Sequence, residues 1–118
     1  MHELSIAQSI VEVAQREAKT RGVQVDAVYV QLGALSGVVK DALLFSYDIA
    51  TQGTGLEQSQ LIIEDIPVSI YCATCQLEHE LDGIQSLRCP ICNQPSADIR
   101  RGKELDIRAL ELVDATPT

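Results

Sequence analysis

A chain of 118 residues falls in the one-domain size range and buries roughly two-thirds of its unfolded surface, so it can hold a real core. Aromatic residues make up only 3%, with no Trp and a single Phe, so that core must be built from Val, Ile, Leu and Ala, and stacking platforms for nucleic-acid bases are scarce. Nine basic against seventeen acidic side chains leave a formal charge of −8, which repels a polyphosphate partner at long range.

Taken in chain order, Leu4, Ala7, Ile10, Val11, Ala14 and Ala18 recur three and four apart with Gln8, Glu12, Gln15, Arg16 and Lys19 between them. This predicts an amphipathic helix from Leu4 to Arg21, closed by Gly22. Ser5 with Gln8 three residues on fits a capping box, which leaves Met1 to Leu4 mostly outside that helix. Val23 to Leu35 is rich in β-branched residues and alternates Val28, Val30 and Leu32, a strand ending in the turn signal GALSG. Ala42, Leu43, Leu44, Tyr47 and Ala50 mark a second helix over Lys40 to Thr51, stopped by Gly53. After TQGTG a long strand is predicted from Gln60 to Tyr71, alternating Ile66, Val68 and Ile70, with Ile62, Ile63 and Pro67 signalling a bulge or an edge.

Residues 72 to 98 hold all four cysteines together with Pro90 and Pro95 and show no sustained periodicity, as expected of loops organised by an ion. GKELDIRALELV alternates Leu105, Ile107 and Ala109 before shifting phase to Leu110 and Leu112, which predicts a closing strand that returns to the first sheet. DATPT reads as a tail. The order predicts an α+β fold: two helices packed on a small, mostly antiparallel sheet, formed by residues 1–70 plus 99–118, with a zinc-ribbon-like four-cysteine module inserted at 71–98.

The first residues lack the basic stretch and apolar run of a secretory signal, and no apolar segment approaches the roughly 18 residues of a membrane span. A cytoplasmic protein is expected, without a membrane role. In that reducing compartment disulfides are disfavoured, and cysteine spacing is read for metal or redox chemistry. The spacing is C-x2-C-x13-C-x2-C, with Cys72 and Cys75 in CATC and Cys89 and Cys92 in CPIC. Two intervening residues let both sulfurs of a knuckle face one ion while backbone N–H groups point at them, and two knuckles close a tetrahedron. Zn(II) in a structural role suits four thiolates; an iron–sulfur centre or a redox dithiol are the other readings of the pattern. Such an insert folds with its metal, whose binding is worth on the order of 10 kcal/mol in comparable small sites. His79, four residues after Cys75, is either a solvated loop histidine or a replacement ligand at low pH.

The chain opens MHE, and a lone terminal histidine carries little weight because chain ends fray. Set beside GALSGV, the C-x2-C…C-P-x-C pattern and the closing GKELDIRALEL, MHELSIAQSI gains meaning: together these motifs resemble the HypA/HybF family of hydrogenase maturation factors, over nearly the full length and in the same order. The resemblance implies transient Ni(II) at Met1, His2 and Glu3 and structural Zn(II) at Cys72, Cys75, Cys89 and Cys92. It also implies a non-enzymatic metallochaperone that serves the [NiFe] hydrogenase large subunit with the GTPase HypB and a SlyD-type protein assisting; the sequence leaves monomer and homodimer both open. One departure stands out. No His directly follows a CxxC, as it does in some relatives, so a zinc-site change that depends on such a His is not expected here.

The nickel assignment makes chemical sense from the atoms up. The α-amine of Met1 and the deprotonated amide nitrogens of His2 and Glu3 can form two fused five-membered chelate rings, with the His2 imidazole at the open corner. Four nitrogens in a plane suit Ni(II) or Cu(II) better than Zn(II). Alternatively His2 chelates with its own amide and an outside group completes the plane. The Glu3 side chain reads equally well as an acidic residue favoured near a helix start. Two other classes compete with a chaperone: a zinc-ribbon module acting on nucleic acid or in transcription, which low aromatic content and acidity oppose, and a redox protein cycling its CxxC pairs.

Overall fold

The computed structural model describes residues 3–114. In chain order the elements are α1 (Glu3–Arg21), β1 (Val23–Gly33), α2 (Lys40–Ala50), β2 (Gln60–Ile66), β3 (Ser69–Cys72), β4 (Leu77–Glu80), β5 (Ile99–Arg101) and β6 (Leu105–Asp114). Helix α1 buries Ala7, Ile10, Val11 and Ala14, the stripe its sequence spacing predicts. Glu3 in the first turn and Lys19 and Arg21 in the last complement the helix dipole, and Gly22, at φ +64°, ends it in a conformation glycine adopts without strain.

The start of α1 corrects the capping-box reading. Glu3 and Leu4 are already helical, and Ser5 lies inside the first turn. Ile6 and Ala7 pack into the core and hold the preceding turn helical, which outweighs a local Ser–Gln pairing. Met1 and His2 lie outside the described residues.

The described chain divides into two units. The first takes in residues up to Val30, Val38–Glu64 and from Ile107 onward. Here α1 packs on α2, and Val25, Val28 and Val30 join Ala7, Ile10, Ala14, Leu43, Tyr47 and Leu56 in one apolar cluster. β1 is the central strand of a three-stranded sheet of order β2-β1-β6, so the closing strand does return to the first sheet. Ile63 and Leu61 from β2 and Ile107 and Leu110 from β6 complete the cluster. Each fully buried side chain of this size contributes about 1.5–3 kcal/mol of transfer free energy. Tyr47 is buried ring and all, and its hydroxyl meets Ser59 Oγ at 2.6 Å, which removes the penalty of an unpaired polar group. Other strand positions face water: Tyr29 donates to Glu111 at 3.0 Å, and Arg108 reaches Glu64 at 3.8 Å.

The second unit takes in Gln31–Gly37 and Asp65–Asp106, so the cysteine segment 71–98 sits within a larger body than the cysteines alone outline. Its sheet, of order β4-β3-β5, is antiparallel throughout, pairing Ile70 with His79, Cys72 with Leu77 and Ile70 with Ile99. Val68, Ile70 and Leu81 form its core, with Leu35, Leu87 and Ile99 against them. Two predicted elements are corrected here. The single strand expected over Gln60–Tyr71 is two, β2 and β3, in different sheets, because Pro67 offers no N–H to a ladder and the chain turns there. The segment expected as loops alone also contains the short strand β4 and leads into β5.

The GALSG turn is held by backbone contacts to a distant part of the chain. Gly33 N–H donates to the Glu104 carbonyl at 2.7 Å and Leu35 N–H to the Gly102 carbonyl at 2.6 Å. A Cβ on Gly33 would lie 2.1 Å from the Gly102 oxygen, so the crossing demands glycine. Among the described residues, no helix is long and apolar enough to cross a membrane.

Candidate metal centre

Cys72 is the last residue of β3, and the chain turns at once through Cys75 into β4; the second knuckle, Cys89 to Cys92, sits between loop residues on either side. The two knuckles are built alike. In each, the residue after the second cysteine takes a left-handed conformation, Gln76 at φ +57° and Asn93 at φ +63°. Each also returns its N–H to the carbonyl of the first cysteine, Gln76 to Cys72 at 2.7 Å and Asn93 to Cys89 at 2.9 Å. Asn tolerates this conformation and is a sequence signal for it, whereas Gln carries no such signal.

This turn aims amides at sulfur. Cys75 N–H donates to Cys72 Sγ at 3.4 Å, and the amides of Ile91 and Cys92 donate to Cys89 Sγ at 3.4 and 3.5 Å. Across the knuckles, Cys72 Sγ lies 3.4 Å from Cys92 Sγ and Cys75 Sγ 3.8 Å from Cys89 Sγ, and all four sulfurs lie within 4.8 Å of one another. A tetrahedron of sulfurs about 2.3 Å from a central zinc has edges of about 3.8 Å, so the four cysteines fit a structural ion of that kind. Cys72 and Cys89 are buried and Cys75 and Cys92 half-buried.

Four sulfurs this close do not ionise alike. Burial opposes the Cys89 thiolate, but the amides of Cys92 and Ile91 and the neighbouring thiols of Cys92 and Cys72 outweigh it and bring Cys89 down to about 6. Burial and the three neighbouring sulfurs push Cys75 up to about 12. Without metal, negative charge therefore settles on Cys89, where backbone donors solvate it. Beyond the second knuckle, Ser96 Oγ donates to the Tyr71 carbonyl at 2.7 Å, and Arg100 holds Asp98 through two bonds of 2.7 and 2.8 Å while lying 4.7 Å over the Tyr71 ring. These contacts fasten the returning chain to β3. The guanidinium beside it holds the Asp98 carboxyl below its usual range.

His79 is not among the clustered ligands. It stands opposite Ile70 on β4, half-buried, and its Nε2 is buried without a hydrogen-bond partner, which corrects the solvated-loop reading.

Of the three amino-terminal residues, Met1 and His2 lie outside the described residues. Glu3 opens α1, and its carboxylate accepts the N–H of Val39 at 3.1 Å. Val39 is the residue just before α2, and no side chain of its own caps that helix. An anion at this place satisfies an otherwise unpaired donor and faces the positive end of the α2 dipole. The reading of Glu3 as an acidic residue favoured near a helix start holds for α1, and its side chain serves the start of α2 as well.

Residues 1–112 match the family model described as hydrogenase/urease nickel incorporation, metallochaperone, hypA. The chain belongs to the HypA family. The HypA match extends to individual relatives: a hydrogenase maturation factor HypA of Roseiflexus sp. (strain RS-1) is 48% identical over 118 residues, covering 99% of this chain and 96% of the relative. One of Geotalea daltonii is 38% identical over 113 residues, covering 96% and 100%. In fold, the chain is similar to the solution structure of the Ni metallochaperone HypA from Helicobacter pylori, with a TM-score of 0.66 at 22% identity over 97% of this chain and 99% of that one. A second HypA solution structure gives a TM-score of 0.69 at 21% identity over 96% and 97%. The family is one of nickel-incorporation metallochaperones, and these relatives are hydrogenase maturation factors.

Proposed function

We propose that this chain is a nickel metallochaperone that binds Ni(II) at its amino terminus and delivers it during maturation of [NiFe] hydrogenase, acting in the cytoplasm without catalysing a reaction. The observation that carries the reading is a family match that begins at residue 1, so that the MHE head is part of the matched sequence. The α-amine of Met1 and the amide nitrogens of His2 and Glu3 supply three donors in a plane, and the His2 imidazole supplies a fourth. Nitrogen donors in this arrangement suit a d8 ion, and because the two amides and the α-amine carry protons that the metal must displace at neutral pH, the site releases metal in acid. The bond from the Glu3 carboxylate to Val39 supports a backbone rather than side-chain role for Glu3 in the nickel site.

Cys72, Cys75, Cys89 and Cys92 hold a structural Zn(II) in this reading. The ion supplies cross-linking of two knuckles and no reaction chemistry; the chain's amides orient the sulfurs and stabilise their charge. The cysteine module at 71–98 then keeps its shape independently of nickel, while residues 1–70 and 99–118 carry the nickel-binding fold. Delivery to the hydrogenase large subunit, with the GTPase HypB and a SlyD-type protein assisting, follows from the family resemblance.

The test is nickel titration of tag-free protein followed by absorption spectroscopy. Planar d8 bands, lost on His2→Ala or when an uncleaved extension precedes Met1 while zinc content persists, are the expected result. Nickel lodged among the cysteines, with residues 1–3 irrelevant, would overturn it.

A further inference from the structure

The exposed side of α2 differs in kind from that of α1. On α1 the solvent face carries charges neutralised in pairs one turn apart, Glu12 with Arg16 at 3.1 Å and Glu17 with Arg21 at 3.2 Å. Val13, 40% exposed, stands alone among those pairs, and the whole is an ordinary solvated helix face. On α2 the buried positions are Leu43, Ser46 and Tyr47, and the opposite side presents Asp41, Phe45, Asp48 and Ile49. Phe45, the single Phe of the chain, is 67% exposed, and Ile49 one turn later is 42% exposed. At about 100° per residue these four side chains form one stripe, with Asp41 and Asp48 along one edge and Phe45 and Ile49 along the other.

Neither apolar exposure nor acidity alone would be notable, since single exposed apolar residues are common. Their combination is harder to explain by the fold. The last turn of α2 has no basic residue, and no Lys or Arg stands three or four positions from Asp41 or Asp48, so the carboxylates gain no partner along the helix. Asp41, in the first turn, suits the helix dipole, but Asp48 sits toward the C-terminus, where the dipole disfavours negative charge. A core poor in aromatics has, moreover, left its one Phe in water. Aromatic anchors beside charges of one sign are what a recognition surface for an oppositely charged amphipathic element requires.

We propose that the Asp41–Phe45–Asp48–Ile49 face of α2 docks a helix of a partner protein, one that presents an apolar row alongside a row of Lys or Arg. Phe45 and Ile49 enter the partner's apolar row, and Asp41 and Asp48 meet its basic row and set its direction. The inference is independent of the nickel-site reading, because none of these residues is a proposed ligand.

The probe is a synthetic helical peptide of Leu and Lys in which the two rows lie side by side, titrated into isotope-labelled full-length, zinc-loaded protein; an isomer carrying Glu for Lys is the control. Amide shifts confined to residues 41–52, at least tenfold weaker binding of Phe45→Ser and of Ile49→Ser, and a flatter salt dependence for the Asp41→Asn, Asp48→Asn double variant are expected, with no binding of the Glu isomer. Both apolar changes are at exposed positions, and an unchanged amide spectrum elsewhere checks the fold. Shifts on another surface, equal binding by the variants, or self-association abolished by Phe45→Ser without peptide binding would each overturn the proposal, the last by naming a second copy as the occupant. Nickel spectra are recorded on the same variants, so failure of this face and failure of the amino-terminal site are read separately.

Discussion

Replacing Glu3 by Ala removes a carboxylate that accepts the backbone N–H of Val39 at 3.1 Å. The bond is charge-assisted but exposed, so it falls near the low end for such bonds, about 1 kcal/mol including its share of the α2 dipole. For a chain of 118 residues, an unfolding entropy of about 2.1 cal/mol/K per residue turns that loss into a fall in Tm of about 4 °C. Glu3→Gln keeps an amide oxygen able to accept the same N–H, so it should recover more than half of the loss. The two variants also separate the possible roles of Glu3 in nickel binding. If only its backbone nitrogen binds, both leave the position of the nickel absorption bands unchanged, and Ala weakens affinity more than Gln because it releases the start of α1 from α2. Thermal unfolding and nickel titration of the zinc-loaded protein measure both. A shift of the bands in Gln as large as in Ala, or no change in Tm for Ala, would refute the reasoning.

Further expectations concern the second unit. Gly33→Ala places a Cβ 2.1 Å from the Gly102 oxygen and 2.6 Å from the Glu104 nitrogen, both backbone, and should cost about 3 kcal/mol or more in urea unfolding, whereas Gly55→Ala, whose Cβ meets nothing within 4 Å, should stay within about 1 kcal/mol of the parent. Gln76→Gly relieves a left-handed non-glycine residue and should stabilise the zinc-loaded protein by up to about 1 kcal/mol, read as a rise in the urea midpoint; a drop would mean the Gln76 side chain contributes more than its backbone strain removes. In metal-free, reduced protein, thiolate absorbance should rise in a step near pH 6 that Cys89→Ser abolishes, while Cys75 stays protonated toward pH 12. Because the Cys89 value lies below that of an unfolded thiol, its stabilising contribution is full at alkaline pH above the unfolded value and is lost as pH falls through about 6; the raised Cys75 thiol contributes in the opposite sense, losing its share as pH rises through about 12. Zinc should erase the step near pH 6, and its persistence in the zinc-loaded protein would contradict thiolate ligation.

What the sequence made legible tracks how local the physics is. Each cysteine knuckle is closed by hydrogen bonds spanning four residues, so spacing alone announces the tetrad, and Asn93 even signals the left-handed turn that follows. The apolar stripe of α1 and the buried Leu43 and Tyr47 of α2 were equally plain from periodicity. The misreadings arise where distant chain decides. Ser5 and Gln8 satisfy a local capping rule that core packing of Ile6 and Ala7 overrides. Pro67 announced an interruption, but that β2 and β3 would join different sheets depends on β1, β4 and β5 as partners. GALSG was legible as a turn, yet the need for glycine at residue 33 arises from Gly102 and Glu104 far along the chain. The bond from Glu3 to Val39 spans 36 residues and leaves no trace in either segment.

The two proposed metal positions call for opposite physical solutions. A structural ion must be held against dilution and acid, which favours ligands whose charge the protein stabilises beforehand; the amides directed at Cys89 and Cys72 do this, and the left-handed residues after each knuckle fix where those amides point. A cargo ion must leave again, which favours ligands that exist only while the metal displaces their protons. Backbone nitrogens meet that need, provided the fold does not depend on them. By committing the Glu3 carboxylate to α2, the chain anchors the start of α1 through a side chain and leaves the backbone nitrogen as that residue's proposed contribution to the cargo. If nickel binds there as proposed, its release on protonation leaves the Glu3–Val39 anchor intact, so the metal-free and metal-loaded forms should share one fold.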